Sequence, residues 1–159
     1  MKLKQISVPL ENSIGRAYEV IGALGERGIN LRALNLVDSG DFGELRLLVS
    51  NLAEARQILM EHRITAWVSE VVAFEIEDRP NALAEVLAHL TAARVPINYA
   101  YAFAGSVSGN AVMIFSFEDN DQAIETLQRI GVHLLDVKAF GMLDTAPNVC
   151  ETPPRQTAA

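Results

Sequence analysis

The chain has 159 residues, half of them hydrophobic, so it can bury a core as one domain of common size or as two small ones. Its formal net charge is −7, with 13 Lys and Arg and no basic run. This charge argues against nucleic acid or an anionic membrane as the main partner. It contains no apolar run of about 18 residues and no signal-peptide pattern at its start, so we expect a cytoplasmic protein.

The first half begins with a predicted strand, a helix and a hairpin. The stretch QISVPL alternates in hydrophobicity, which is typical of a strand. A helix of about three turns follows, and Gly28 is its predicted stop. NLRALNLV and ELRLLVS alternate again and are joined by the turn-forming stretch DSGDFG, which predicts a hairpin. The apolar residues at helical spacing are Ile14, Tyr18, Ile21 and Leu24.

A second helix, which carries Ala55, Ile58 and Leu59, and the strand AWVSEV complete this half. The second half repeats the same order. It opens with the strand VAFEI and continues with a helix that Pro96 is expected to end. The remaining predicted elements are the strands INYAYAF and AVMIFSF, a helix through Ala123 and Leu127, and the closing strand LLDVKAF.

A shift of 66 residues superposes the two halves, and it aligns Glu11 with Glu77 and Gly43 with Gly109. The second half needs two extra residues, in the stretch FEDND. A repeat of this length is a whole small domain. Each half has the order βαββαβ, which places two helices on one face of an antiparallel sheet, the ferredoxin-like sandwich.

We therefore predict an α+β protein with two domains, at residues 1–70 and 71–144. Residues 145–159 are rich in Pro, Thr and Ala, and we expect them to form a disordered tail. Small sheets with unpaired edges tend to associate, so a homodimer is also expected.

The stretch ISVPLENSIGRAYEVIGALGERGINLRAL is similar to the opening of an ACT domain, and DSGDFGELRLLV resembles its following hairpin. From about Lys4 to Leu143 the chain resembles small proteins made almost entirely of two tandem ACT domains. This resemblance implies a regulatory module that binds small molecules, mostly amino acids, at interfaces between domains.

Each half turns sharply from its first strand into its first helix, and we call these turns the first and second corners. A helix that starts at such a turn leaves backbone N–H groups unpaired, which favours an anion such as an amino-acid carboxylate. The ACT pattern has a Pro-Gly pair here. This chain departs from it in both corners, with Ile14 and Gly15 in the first and Pro80 and Asn81 in the second.

Two interpretations of Asn81 are open. Its side chain is either a helix N-cap, or an addition to a corner that keeps a left-handed backbone. Asn12, Ser13 and Asp78 are predicted to be ordinary capping residues. Because Gly15 permits close approach of a ligand, we expect the first corner to be preferred.

Aromatic residues of the hairpins also have two interpretations each. Phe42 either packs in the core or lines a ligand site. In tandem ACT proteins this hairpin borders the binding interface, so the resemblance implies that Asp38 and Phe42 are candidate contacts for an amino group and a side chain. Tyr99, Tyr101 and Phe103 alternate along one strand, so they share a sheet face. That row either covers apolar surface or forms the wall of a pocket between the sheets.

These arguments define one set of candidate ligand-binding residues: Asn12, Ser13, Ile14, Gly15, Arg16, Asp38, Phe42, Asp78, Arg79, Pro80, Asn81, Ala82, Leu83 and Tyr101.

No set of residues at catalytic spacing presents itself, and the three histidines lie in different elements without converging metal ligands. We expect no metal, no cofactor and no enzyme activity. The first hypothesis is a non-catalytic sensor that binds an amino acid. The alternative is an assembly module that dimerises and docks on a metabolic enzyme without binding ligand.

Overall fold

The structure is a computed structural model that describes residues 1–40, 42–103 and 109–143. The chain divides into two compact units. The first unit consists of Lys4–Ser69 with residues 141–143, and the second consists of Met1–Leu3 with Glu70–Phe140. The domain ranges drawn from the sequence stay a prediction, and the predicted tail at 145–159 lies outside the described residues.

The described residues form four helices and seven strands, and every pairing described below is antiparallel. The strands of the first unit lie in the order β2-β3-β1, and those of the second in the order β4-β6-β5, with β7 also paired to β4. The predicted fold class, two tandem ferredoxin-like domains of α+β type, is confirmed. The elements are β1 (Lys2–Glu11), α1 (Arg16–Glu26), β2 (Leu31–Asp38), β3 (Phe42–Val49), α2 (Leu52–Glu61), β4 (Trp67–Ile76), α3 (Ala82–Ala92), β5 (Ile97–Phe103), β6 (Ala111–Phe117), α4 (Asn120–Arg129) and β7 (His133–Leu135).

The core of the first unit lies between its helices and one face of its sheet. Ile6, Val8 and Leu10 alternate along β1 and are buried, as the pattern of QISVPL predicts. Fully burying such side chains stabilises a fold by about 1.5–3 kcal/mol each. Helices α1 and α2 contribute Val20, Ala23, Leu24, Ala55, Ile58 and Leu59 to the same cluster.

The second unit has an equivalent core. Val72 and Phe74 of β4 are fully buried. The Phe74 ring lies against Phe115 of β6, with 5.2 Å between ring centroids. Helices α3 and α4 cover this face with Val86, Leu90, Ala123 and Leu127.

Two strand predictions were wrong. AWVSEV and VAFEI are one continuous strand, β4, because no turn residue interrupts their alternation. The closing strand predicted at LLDVKAF is only the short β7, and a turn follows it. In that turn Asp136 Oδ1 accepts hydrogen bonds from the Lys138 and Ala139 backbone N–H groups, each at 3.0 Å. The bond from Ala139 is the main cause of the lowered Asp136 pKa.

The predicted apolar face of α1 was half right. Leu24 is buried and Ile21 packs against the core, whereas Ile14 precedes the helix and is fully exposed. Tyr18 is also exposed, because the buried stripe runs through Val20, Ala23 and Leu24 and leaves Tyr18 on the outer side of the helix.

The capping predictions for Asn12, Ser13 and Asp78 were wrong. The N-cap residues of α1 and α3 are Gly15 and Asn81, and no side chain among the described residues caps either helix. Side-chain caps occur at the second helix of each unit instead. Asn51 Oδ1 accepts from Glu54 N at 3.1 Å, and Asp119 Oδ1 accepts from the first turn of α4.

Candidate functional site

The first corner is built around a left-handed glycine. Gly15 has φ 93° and ψ −17°, and no atom lies within 4 Å of where a Cβ would stand. Glycine is therefore favoured by its backbone conformation and not by lack of space. The Arg16 N–H donates to the Ser13 carbonyl at 3.4 Å, and no side-chain cap is found on α1 among the described residues, so the helix N-terminus is not capped by a side chain.

Asn12 connects this corner to the β2–β3 hairpin. Its Nδ2 donates to Asp38 Oδ1 at 3.2 Å and to the Gly40 carbonyl at 3.1 Å. The Gly40 N–H also donates to Asp38 Oδ1, at 2.9 Å. One Asp38 oxygen is thus held by two donors, which orients the carboxylate beside the corner.

Arg16, the first residue of α1, supplies a positive charge at the same place. One Nη donates to Glu19 on the next helical turn. Its Nε is buried and has no hydrogen-bond partner among the described residues. A buried donor without a partner is unfavourable, so an acceptor that came within reach of this atom would be stabilising.

A cleft of about 140 Å³ lies between the corner, the start of α1 and the end of β2. Four predicted residues line it: Asn12, Ser13, Arg16 and Asp38. It therefore brings together a carboxylate, a guanidinium and a helix N-terminus. The other lining residues are Leu10, Glu11, Ala17, Leu36, Val37 and Gly43.

Three predicted first-half residues do not line this cleft: Ile14, Gly15 and Phe42. Phe42 pairs with Glu11 across β3 and β1 and is 59% exposed, so the core-packing interpretation of Phe42 was wrong. Asp41 lies outside the described residues.

The second corner keeps the backbone shape without glycine. Asn81 has φ 69° and ψ −8°. Its side chain makes no capping hydrogen bond, so the interpretation that it keeps a left-handed corner is confirmed. The 66-residue repeat thus preserves a conformation at Gly15 and Asn81 that few non-glycine residues adopt.

An arginine of the second corner is fully engaged by carboxylates. Arg79 donates from two Nη atoms to Glu85 of α3, at 2.9 and 2.6 Å, and from Nε to Glu77. The hydrogen bonds to Glu85 and then Glu77 raise the Arg79 pKa further above its ordinary value. In turn, the Arg79 hydrogen bonds lower the pKa of Glu85.

A cleft of about 390 Å³ lies beside this arginine, between α3 and the turn after α4. Of the predicted residues, Arg79 and Ala82 line it, whereas Asp78, Pro80, Asn81 and Leu83 do not. Sequence reasoning missed its other polar residues, Glu75, Glu77, Glu85, His89, Asn110 and His133. His133 Nδ1 and Glu75 Oε2 are 3.0 Å apart.

This cleft has a counterpart in the first unit. There, a cleft of about 330 Å³ lies between α1 and the turn after α2. The repeat relates Glu19 to Glu85, and Arg63 to Gly131, across the two clefts. Arg16 lines both this cleft and the smaller one at the first corner.

Tyr101 lines none of the clefts described above and lies on the face of its sheet opposite the helices. Its strand neighbours Ala100 and Ala102 pair with Phe115 and Met113, which belong to the helix-covered core. Alternation therefore directs Tyr101 to the other face, where it is buried. Phe103 follows on that face, with 6.1 Å between its ring centroid and that of Phe140. A pocket role for this row stays a prediction.

Among the described residues, no group of three or more His, Cys, Asp or Glu side chains could hold a metal ion. None of the helices in the described part of the chain is long and apolar enough to cross a membrane.

A family model covers most of the chain. The family described as an ACT domain pair matches residues 1–141. The chain is similar to the crystal structure of protein BT0572 from Bacteroides thetaiotaomicron, with 36% identity and a TM-score of 0.83 over 90% of this chain and 98% of that one. No curated protein matches significantly.

Two other solved structures share the fold. The regulatory subunit of aspartate kinase from Thermus thermophilus, in ligand-free form, has 18% identity and a TM-score of 0.57 over 79% of this chain and 90% of that one. The regulatory subunit of aspartate kinase from Thermus flavus has 17% identity and the same TM-score, again over 79% of this chain and 90% of that one.

Proposed function

The chain belongs to the family of ACT domain pairs, and from that premise we propose that it is a non-catalytic regulatory protein that binds an amino acid at its first corner. ACT domains are regulatory modules that bind small ligands. The observation that carries the proposal is the first-corner cleft, which places Asp38 and Arg16 on the walls of one small space.

These charges match the two ends of an amino acid. The N-terminus of α1 suits the carboxylate, as does the Arg16 Nε, which has no hydrogen-bond partner among the described residues. Asp38 suits the ammonium group, since only one of its oxygens has donors among the described residues. The bridge from Asn12 holds Asp38 in place before the ligand arrives, which lowers the entropy lost on binding.

The first corner is favoured over the second as the ligand site because its arginine has fewer carboxylate partners. Arg79 is bound to two carboxylates, so a ligand carboxylate would have to compete with Glu77 and Glu85. Among the described residues, Arg16 is ion-paired with Glu19 alone, and its Nε has no hydrogen-bond partner. A ligand acts as a regulator only if it binds one conformation of the protein better than another.

Calorimetric titration of the whole chain against the twenty amino acids tests the proposal. We expect saturable binding of at least one, with one dominant site per chain. Saturable binding of none would rule out the amino-acid sensor.

We also propose that the protein is a homodimer. Strand β2 is at one end of the strand order in the first unit, and it carries Leu34 and Leu36, which are 46% and 55% exposed. An exposed apolar edge strand is a site for pairing with a second chain. A second chain there would lie next to the cleft, which Leu36 also lines.

The alternative remains an assembly module that docks on a metabolic enzyme and binds no ligand. The exposed apolar residues of β2 also suit a foreign partner. Affinity capture from the source cell, with and without added amino acids, distinguishes the two hypotheses. An enzyme that is retained regardless of amino acids, combined with no binding by calorimetry, supports assembly. A cytoplasmic location is part of both proposals.

A further inference from the structure

The first-corner cleft is small. Its volume of about 140 Å³ is less than half of the 390 Å³ of the second-corner cleft. At roughly 30 Å³ per water molecule, it holds about five waters. A molecule of similar size is an amino acid such as glycine, alanine or serine.

The walls of the cleft offer few partners for a charged side chain, since Glu11 is the one charged residue besides Arg16 and Asp38 among the described residues that line it. If Arg16 and Asp38 bind the two backbone charges of an amino acid, the remaining surfaces include the apolar side chains of Leu10, Ala17 and Leu36. Leu10 is buried and Ala17 packs against the core. A charge pressed against such surfaces loses hydration without compensation.

Leu36 lines the first-corner cleft and aligns with a smaller residue in the second half of the chain. The repeat aligns Leu36 with Ala102, and Leu34 with Ala100. Both leucines lie on the helix-facing side of β2, because they pair with the core residues Leu45 and Leu47. Of these two leucines, Leu36 lines the cleft and Leu34 does not.

Resting on the function proposed above, we infer that the ligand is an amino acid with a small uncharged side chain, and that Leu36 determines this selectivity by limiting the room beyond Arg16 and Asp38. Gly43, on the opposite strand, cannot take over this role, since a Cβ there would stand 2.9 Å from the Val37 carbonyl oxygen.

The test is calorimetry of the full chain with glycine, alanine, serine, valine, leucine, phenylalanine and lysine. One methylene in an apolar pocket changes discrimination by about 10- to 200-fold. We therefore expect glycine, alanine or serine to bind at least tenfold more tightly than leucine, phenylalanine or lysine.

The variant Leu36→Ala removes the limiting side chain and installs the residue that the second half has at this position. It should reduce the preference for alanine over leucine at least fivefold. Leu34→Ala is the matched control, because it removes the same atoms from the same face of the same strand, outside the cleft. It should leave the preference unchanged.

The possible failures are distinguishable. If no amino acid binds, the proposed function fails, and this inference with it. If a large or charged amino acid binds best, or if Leu36→Ala and Leu34→Ala change selectivity equally, the inference is overturned while the proposed function stands.

Discussion

Single residues distinguish the two corners. In the first, Asp38 is oriented by Asn12, and the Arg16 Nε has no hydrogen-bond partner among the described residues. In the second, Arg79 is bound to Glu77 and Glu85. The same fold therefore presents one arginine paired with one carboxylate and another paired with two.

Asp38→Asn should weaken amino-acid binding at least tenfold, because it removes the charge that faces the ammonium group while leaving a side chain that Asn12 can still contact. Asp78→Asn is the control, since it removes an exposed carboxylate of the second corner. Equal losses in the two variants, measured by calorimetry, would contradict the assignment of the site to the first corner.

Gly15→Ala should weaken binding more than Asn81→Ala does. Alanine at φ 93° is strained by roughly 1–2 kcal/mol, and relief of that strain would move the first-turn N–H groups of α1. Asn81 already carries a Cβ in the left-handed region, so its replacement changes the backbone less. Affinity measured on both folded variants checks this. Equal effects would mean that the two corners are only two ways of making one turn.

The Arg79 cluster predicts a small dependence of stability on pH. Its hydrogen bonds lower the pKa of Glu85 below the ordinary glutamate value of 4.5. A carboxylate with a lowered folded-state pKa stabilises the fold above its unfolded value, and this contribution is lost as pH falls through the folded-state pKa. The cluster is exposed, so the effect is screened.

Arg79→Ala should therefore lower the free energy of unfolding slightly at pH 7, and the difference from the natural chain should shrink well below pH 4.5. Denaturant unfolding at the two pH values measures it. A difference that is the same at both would show that Arg79 acts through packing.

At the scale of the elements, all four described helices end in the same way. The residue after each C-cap is left-handed, and the next N–H donates to the carbonyl five residues back, as in a Schellman motif. The donors are Ile29, Ile64, Val95 and Val132. The left-handed residues are Gly28, Arg63, Arg94 and Gly131.

Two of these left-handed positions hold arginine, and a non-glycine residue there costs roughly 1–2 kcal/mol. Arg94→Gly should raise the free energy of unfolding by about 1 kcal/mol, after allowance for the greater flexibility of glycine in the unfolded chain. Gly28→Ala should lower it. Thermal denaturation checks both, and a destabilised Arg94→Gly would show that the arginine side chain makes contacts worth more than the strain.

At the scale of the whole molecule, the repeat is preserved more clearly in backbone conformation than in side chains. Gly15 and Asn81 share the left-handed region, as do Gly28 and Arg94 at the same 66-residue spacing. The large exposed apolar residues, in contrast, are not repeated. Leu34 and Leu36 correspond to Ala100 and Ala102. Association through an apolar edge is therefore expected of the first unit.

Leu34→Lys should convert a dimer to a monomer, because a lysine on an edge strand opposes pairing with another chain. Light scattering coupled to gel filtration measures the mass. Leu34→Ala, which stays apolar, should remain dimeric. A natural chain that is monomeric at high concentration would contradict the dimer.

The order of the elements and the two cores follow from the sequence alone, because hydrophobic periodicity is a local property. The alternation of Ile6, Val8 and Leu10, and its repetition 66 residues later, already determined which faces are buried. Local pattern also gave two wrong predictions. The alternation through β4 was divided into two strands although it is one, and the helical spacing placed Tyr18 on the buried face of α1 although it is exposed.

Only the tertiary structure decided the candidate site. Nothing local relates Asn12 to Asp38, or shows that Leu36 limits a cleft while Leu34 does not. Those relations depend on which strands pair and which strand is left at an edge, and pairing joins residues far apart in the chain. The ion pairs of Arg79 with Glu77 and Glu85 were also not predictable from the sequence, since they depend on the backbone conformation of the second corner. The sequence determined that there are two corners with different hinge residues, and the fold decided which side chains each corner brings together.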